Sequence, residues 1–438
     1  MECDQLYDAL VSSSYGETVK RIVLTRFAKK EAGEDEEKGR KGERQQSGAR
    51  KGNGGGPKSS KKPQYDYPKQ RERAKKKQII SLEPSRKQVT LFSHLPQFER
   101  SSSTRISERI MLGGLNIPSV AISLGLKYAS YQIQGANARC LAILEMFRNF
   151  VENYVQVTNK CFGMELEKVI EPTIQFIKDC RPYSIGMGNM IRHFKRKIGN
   201  TMSMSVEEAK RYLVEELDTL IRDRVVDAEK TAAKITSQKI YDGDVILTYC
   251  RSNAVLESLK EAARQGKRFR AIIVDSRPHY EGRTILEELS MLRIPCEYVL
   301  LNAISYVIKT ATKVLIGAHA LMNNGQVYSR VGTAIVCMMA NANHIPVLVV
   351  CETYKFCELS QLDSICQNEL GDPEELVSSS NPPSSNPLHF WRENPNLKLL
   401  NLVYDLTPTE FISMVISEVG AVPPTSVPVI IREFYSIT

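Results

Sequence analysis

Apolar residues recur at three- and four-residue steps from about Ile79 to Ile240. The segments "SVAISLGLKYASYQIQG", "ARCLAILEMFRNFVENYVQV", "ELEKVIEPTIQFIKDC" and "SVEEAKRYLVEELDTLIRDRVVDAEKTAAKITSQKI" all carry this spacing, which lays one apolar stripe along a helix. Ser205 followed by Glu208 makes a capping box at the start of the last. An all-helical domain is therefore expected over 79–240. At "YDGDVILTYC" the rhythm changes. Five short apolar runs follow: "VILTYC" (245–250), "AIIVDS" (271–276), "EYVLL" (297–301), "KVLIGA" (313–318) and "PVLVVC" (346–351). Helical segments such as "NAVLESLKEAARQG" and "RTILEELSMLRI" separate them. Strands buried on both faces and alternating with helices predict an α/β domain over 241–438 with a parallel, doubly wound sheet. After a Ser/Pro/Asn loop at 378–387, "LKLLNLVYDLTPTEFISMVISEVG" reads as a further strand and helix.

Residues 1–78 have no such pattern beyond a possible short helix in 1–28. Between Lys29 and Lys77 stand 17 Lys/Arg and 8 Asp/Glu, a net of +9, and the whole chain is formally +9. The remainder is neutral, so the basic balance belongs to this extension. Rich in Gly, Ser and charge, it cannot bury enough to offset the entropy of ordering and is expected to be disordered. It reads either as a solvated tail or as an electrostatic tether to RNA or the ribosome. The interleaved "EDEE" argues against a strong nucleic-acid arm, so nucleic acid is not expected as a partner except weakly through the tail.

The ten cysteines form no CxxC, and no His lies at zinc-finger spacing beside a Cys pair. The start "MECDQLYDALVSSS" lacks the basic and apolar regions of a secretory signal. No apolar run approaches the ~20 residues that span a bilayer. A reducing, cytosolic setting is expected, with no membrane association and no metal.

In an open parallel sheet, ligands lie beyond the carboxyl ends of the strands. Those ends carry Cys250 after the first strand, Arg277 and Arg283 after the second, and His319, Ser329 and Arg330 after the fourth. Arg277, Arg283 and Arg330 are candidates to meet a phosphate with a forked guanidinium. There is no GxGxxG after the first strand and no GxxxxGK[ST] anywhere, which argues against a dinucleotide or P-loop site, and no cofactor is expected. "LFSHLPQFER" (91–100) places Leu91, Phe92, Leu95 and Phe98 just beyond the extension, where a short apolar segment must cover its own body or a partner.

"ILTYCRSNAV", "VDSRPHYEGRTILEEL" and "IGAHALMNNGQVYSRVGTA" resemble the signature loops of a sugar-phosphate isomerase superfamily. It includes the methylthioribose-1-phosphate and ribose-1,5-bisphosphate isomerases and the regulatory alpha, beta and delta subunits of eukaryotic translation initiation factor 2B. The resemblance runs from roughly Ser81 to Arg432 and implies a helical domain joined to a Rossmann-like domain. In the isomerases a Cys in the first loop and an Asp opening the third carry the proton transfer. Here Cys250 holds the Cys position, but His319 stands at the Asp position. Ser329 and Arg330 stand where Asn-Lys would grip substrate. The resemblance therefore implies a vestigial crevice.

"GANARCLAIL" (135–144), "IPVLVVCETYKFCE" (345–358), "NELGDPEEL" (368–376), "NLVYDLTPTEF" (401–411) and "PPTSVPVIIRE" (423–433), together with "LFSHLPQFER", resemble the regulatory branch, the delta type most closely. That resemblance implies a non-catalytic subunit working with alpha, beta, gamma and epsilon subunits of initiation factor 2B. The assembly would exchange nucleotide on initiation factor 2 and sense phosphorylation of that factor's alpha subunit. "RHFKRK" (192–197) is a candidate sensing surface by charge alone. Leu91, Phe92, His94 and Leu95 are expected to lie near Leu400 and Leu402 at a beta–delta contact. The alternatives are a working ribose phosphate isomerase, or a relic that binds a sugar phosphate without reacting it.

Overall fold

A computed structural model describes residues 89–96, 117–156, 161–377, 386 and 388–437, all within one compact unit, Pro84–Thr438. The expected basic extension, residues 1–78, and Phe98 lie outside the described residues.

Five helices come first: α1 (Ser119–Ala129), α2 (Ala136–Asn153), α3 (Phe162–Cys180), α4 (Ile185–Gly199) and α5 (Val206–Thr219). Their three- and four-step apolar positions converge on one core. Ile143, Leu144 and Phe147 of α2 share one buried cluster with Leu166, Ile170 and Ile177 of α3. Phe194 of α4 and Leu213 and Leu217 of α5 complete it, each essentially inaccessible. Burying one such side chain contributes about 1.5–3 kcal/mol. The Phe147 and Phe194 rings stack with centroids 5.0 Å apart. Ser184 caps α4 by accepting the Met187 N–H, and Ser205 with Glu208 forms the expected capping box on α5.

The long helix read from the sequence is interrupted. After α5 the chain passes through a π-helical segment, Leu220–Val226, before resuming as α6 (Asp227–Ser237). Leu217 and Leu220 face the helical core, whereas Ala232 and Ile240 belong to the core under the sheet. The wider π turn rotates the apolar stripe, so one continuous pattern serves two cores.

The main sheet contains β1 (Val245–Tyr249), β2 (Arg270–Asp275), β3 (Cys296–Leu300) and β4 (Lys313–Gly317), which match four of the five predicted runs. A hairpin follows, β5 (Ala320–Met322) and β6 (Val327–Arg330), then β7 (Val347–Val350), the fifth run, and β8 (Phe356–Cys357). The last strands are β9 (Tyr404–Thr407), β10 (Met414–Ser417) and β11 (Gly420–Val422). The large sheet has the order β11-β10-β7-β4-β1-β2-β3, parallel throughout except for β11. Alternate residues serve opposite faces. Leu247, Ile272, Val314 and Val349 lie in one core, and Ile246, Ile273, Leu315 and Val350 in the other. Helices cover both: α6, α7 (Asn253–Arg264) and α8 (Gly282–Met291) on one side, α9 (Thr333–Ala342) and α10 (Val427–Ile437) on the other. The fold is the expected doubly wound α/β arrangement.

One sequence reading needs correction. "PTEFISMVISEVG" forms no helix. It makes a short 3-10 turn, then β10 and β11, because β-branched Val and Ile fit a buried strand beside β7. Between β4 and α9 the chain makes a hairpin. Asn323, Asn324 and Gly325 turn the β5–β6 hairpin, with Gly325 at φ +79° and its N–H bonded to the Met322 carbonyl. That hairpin joins a second sheet of order β8-β5-β6-β9.

A buried ion network ties the helices to the segment around Glu369, whose carbonyl accepts the Val403 N–H just before β9. Glu369 accepts from Arg181 Nε at 2.6 Å and from the Tyr131 hydroxyl at 2.8 Å. Arg139 Nη1 stands 4.0 Å from the other oxygen. Arg139 and Arg181 are 1% and 2% exposed. The two guanidiniums hold the Glu369 carboxyl below its ordinary range despite its burial.

Candidate functional site

Strand order reverses between β1 and β4, and in doubly wound sheets a crevice opens at such a point. Here it is a cavity of about 110 Å³. Tyr249, Arg251 and Ser252 line it from the end of β1, and Gly317, Ala318 and His319 from the end of β4. Ser329 and Arg330 come from β6, and the first turn of α2, around Asn137, closes it from the helical side. Gly317 is required for this geometry. A Cβ there would lie 2.0 Å from Ser252 Oγ, and Ser252 is the residue that caps α7.

Four of the six sequence candidates gather here: His319, Ser329 and Arg330 on the lining, and Cys250 buried beside Tyr249. Cys250 sits at φ +51° with its sulfur 3.8 Å from Asp275 Oδ1 and 4.0 Å from Ser276 Oγ. Burial and then the Glu281 carboxylate push its thiol up to about 12, so it stays protonated at neutral pH. His319 faces the crevice but is crowded by aromatic rings, with centroids 4.3 Å from Tyr404 and 5.8 Å from Tyr328. Desolvation, and then the charges of Arg139 and Arg330, hold its imidazole well below the ordinary histidine range. It is neutral and a weak base.

Ser329 is turned away from chemistry as well. Its hydroxyl bonds the Gly317 carbonyl at 3.2 Å and lies 3.0 Å from the Thr333 hydroxyl. Arg330 grips Glu281 with both edges of its fork, at 3.0 Å and 2.6 Å. Arg277 and Arg283 are exposed and do not line the crevice; the Arg283 guanidinium lies over the Tyr280 ring at 4.5 Å.

Sequence reasoning missed Asn137, Glu281, Lys355 and Tyr404, all on the lining. Lys355 pairs at 2.5 Å with Glu352, which is wholly buried and also accepts from Asn137 Nδ2 at 2.7 Å. Tyr354 donates to Asn137 Oδ1 at 2.8 Å. Glu352 stands two residues beyond β7 in "CETYK", and an acidic residue so close to a strand end is the signal that marks this group. Among the described residues, no cluster of three or more His, Cys, Asp or Glu is placed to hold a metal ion.

The second candidate group also comes together. Phe92 and Leu95 are buried against Leu370, with Leu400 and Leu402 packed on them. His94 Nε2 lies 2.8 Å from the Ile365 carbonyl. This is packing of the chain on itself; Leu91 is the member left outward, 57% exposed. In "RHFKRK", Lys195 and Lys197 pair with Glu171 and Glu216, while Arg192 and Arg196 are exposed.

Comparison with known proteins follows the same lines. The family described as "Initiation factor 2 subunit family" matches residues 132–424. The chain is 44% identical over 375 residues to "Translation initiation factor eIF2B subunit delta" of Dictyostelium discoideum, covering 85% of this chain and 60% of that protein. It is 39% identical over 355 residues to the protein of the same name in Schizosaccharomyces pombe, covering 80% and 74%. A "Ribose 1,5-bisphosphate isomerase" of Pyrococcus furiosus is 28% identical over 325 residues, 73% of this chain and 95% of that one. Among solved structures, a chain of the tetrameric eIF2B-beta2-delta2 complex from C. thermophilum superposes with a TM-score of 0.65 at 29% identity, covering 75% of this chain and 97% of that chain. The chain thus spans about 60% of the length of the Dictyostelium relative. No helix among the described residues is long and apolar enough to cross a membrane. A family match running from just after α1 to the last strand, and a relative 39% identical over most of both chains, lead to one conclusion: the chain belongs to the initiation factor 2 subunit family.

Proposed function

We propose that the chain is a non-catalytic, delta-type regulatory subunit of the guanine-nucleotide exchange assembly that acts on translation initiation factor 2. It works in the cytosol, scaffolds the core with beta-type and other subunits, and helps sense phosphorylation of the substrate factor's alpha subunit. The observation that carries this reading is the bonding state of the crevice. Aldose–ketose isomerisation needs two groups that trade a proton between adjacent sugar carbons. Here the thiol of Cys250 is held neutral, His319 is a weakened base, and Arg330 is taken by Glu281. The delta-subunit names of the two most similar curated relatives given above support the same reading.

A surface suited to assembly is present. The turn Ile304–Val307 packs beside α9, and Tyr306, Ile335 and Met338 stand 81%, 45% and 47% exposed. Apolar groups presented together in this way mark association surfaces. The test is affinity purification of the tagged chain from its own cells, followed by mass spectrometry. Recovery of beta-, gamma- and epsilon-type subunits is the expected result. A chain that purifies alone and interconverts ribose phosphates, with turnover abolished by Cys250→Ser, would overturn the proposal.

A further inference from the structure

The crevice has a cationic wall, formed by Arg251, Arg330 and Lys355. Such a wall ordinarily seats a phosphate or carboxylate. Arg251 donates to the Asn253 amide oxygen at 3.4 Å, whereas the other two cations are paired with carboxylates of the chain, in different ways. Lys355 holds Glu352, which is wholly buried behind the wall. Arg330 holds Glu281, and Glu281 itself lines the cavity. Among the described lining residues Glu281 is the one carboxylate. Both its oxygens meet the guanidinium fork, in the bidentate manner by which an external oxyanion would be held.

The Glu281 side chain is presented by a fixed loop. The buried Asp275 carboxylate accepts the Ser276 N–H at 2.9 Å and the Tyr298 hydroxyl at 3.0 Å, and it also bonds the backbone of Gly282. Within the loop, the Tyr280 N–H bonds the Ser276 carbonyl and the Arg283 N–H bonds the Tyr280 carbonyl. A Cβ at position 282 would lie 2.9 Å from the Asp275 carboxyl, so the glycine is what lets the loop close this tightly. Tied at both ends to one carboxylate, the loop holds Glu281 against Arg330 with little entropy left to lose. An intramolecular ligand so placed acts at an effective concentration far above that of any free phosphate ester.

We infer that Glu281 is a built-in occupant of the crevice's anion seat, closing Arg330 to phosphate esters while preserving the shape of the site. The inference concerns the crevice alone and does not depend on how the chain assembles. It is tested by calorimetric titration of the full-length chain with inorganic phosphate and with ribose 5-phosphate. Wild type should bind at least tenfold more weakly than Glu281→Ala, and the double variant Glu281→Ala/Arg330→Met should lose the gained affinity. Equal binding by wild type and Glu281→Ala overturns the inference. So does a folded Glu281→Ala that binds neither ligand, or binding that survives in the double variant. Should circular dichroism show Glu281→Ala unfolded, Glu281→Gln, which keeps the volume and removes the charge, is read by the same criteria.

Discussion

A thiol, an imidazole and a guanidinium stand at one strand-end crevice, and in each case the surroundings decide what the group can do. His319 lies against Tyr404 and under the field of Arg139 and Arg330. Replacing it by Asp restores a carboxylate to that position, yet Cys250 stays protonated and Arg330 stays engaged. His319→Asp is therefore expected to show no turnover of ribose 1,5-bisphosphate, followed by NMR of the sugar; measurable turnover would mean that one residue separates scaffold from enzyme. Leu91 and Leu95 differ in the same residue-by-residue way. Leu95→Asp puts a charge into a buried apolar cluster and should cost about 3 kcal/mol in denaturant unfolding. Leu91→Asp, on the exposed side, should leave unfolding within about 0.5 kcal/mol while weakening recovery of the beta-type partner.

At the scale of elements, the capping box on α5 is directly testable. Ser205→Ala removes the acceptor for the Glu208 N–H and should destabilise the chain by about 1 kcal/mol, read as a lower midpoint of thermal or urea unfolding. A second prediction comes from α6. Burial, and then the neighbouring Glu352, push the Glu229 carboxyl up to about 7, and one of its oxygens is buried without a hydrogen-bond partner. A carboxyl raised in the folded state contributes stability that is complete below its unfolded value, near 4.5, and is lost as pH rises through about 7. Glu229→Gln should remove that loss, gaining about 2 kcal/mol over wild type at pH 8 but little at pH 4.5 in urea titrations. Asp405, raised to about 7 by burial, contributes a slope of the same sign, which Glu229→Gln leaves in place.

Element identity was legible where one signal dominated. The five apolar runs became β1, β2, β3, β4 and β7 because each is five or six residues long and lies between helical segments; β3, at the edge of the sheet, is only partly buried rather than covered on both faces. "FISMVISEV" was misread because its apolar spacing suits either a helix or a strand, and only pairing with β7 decides. The β5–β6 hairpin was missed because strands of three and four residues carry too little periodicity. The site divides similarly. His319, Ser329 and Arg330 were found from their place after a strand. Asn137, Glu281, Lys355 and Tyr404 reach the same cavity from segments up to 267 residues apart, and no local pattern announces such a meeting. Arg277 and Arg283 follow a strand end too, but point to solvent.

For the whole molecule, the exposed face of Tyr306, Ile335 and Met338 is the largest stake in the assembly reading. A double substitution, Ile335→Glu with Met338→Lys, spares the buried residues of α9, which are Thr333, Val336, Cys337 and Ala340. The variant should fold with an unchanged melting temperature yet lose its partner subunits on gel filtration. Retention of the partners would move the interface elsewhere on the surface.

The network of Arg139, Arg181 and Glu369 has a consequence for how this sequence can drift. Each guanidinium is almost wholly buried, and Glu369 is the one carboxylate they share. Exchange of Glu369 leaves two buried guanidiniums without their carboxylate, a cost of about 3–5 kcal/mol, comparable to much of a domain's net stability. Exchange of either arginine alone leaves a balanced pair. Glu369 should therefore be the most tightly inherited of the three, and where it differs in a related chain, both arginines should differ with it.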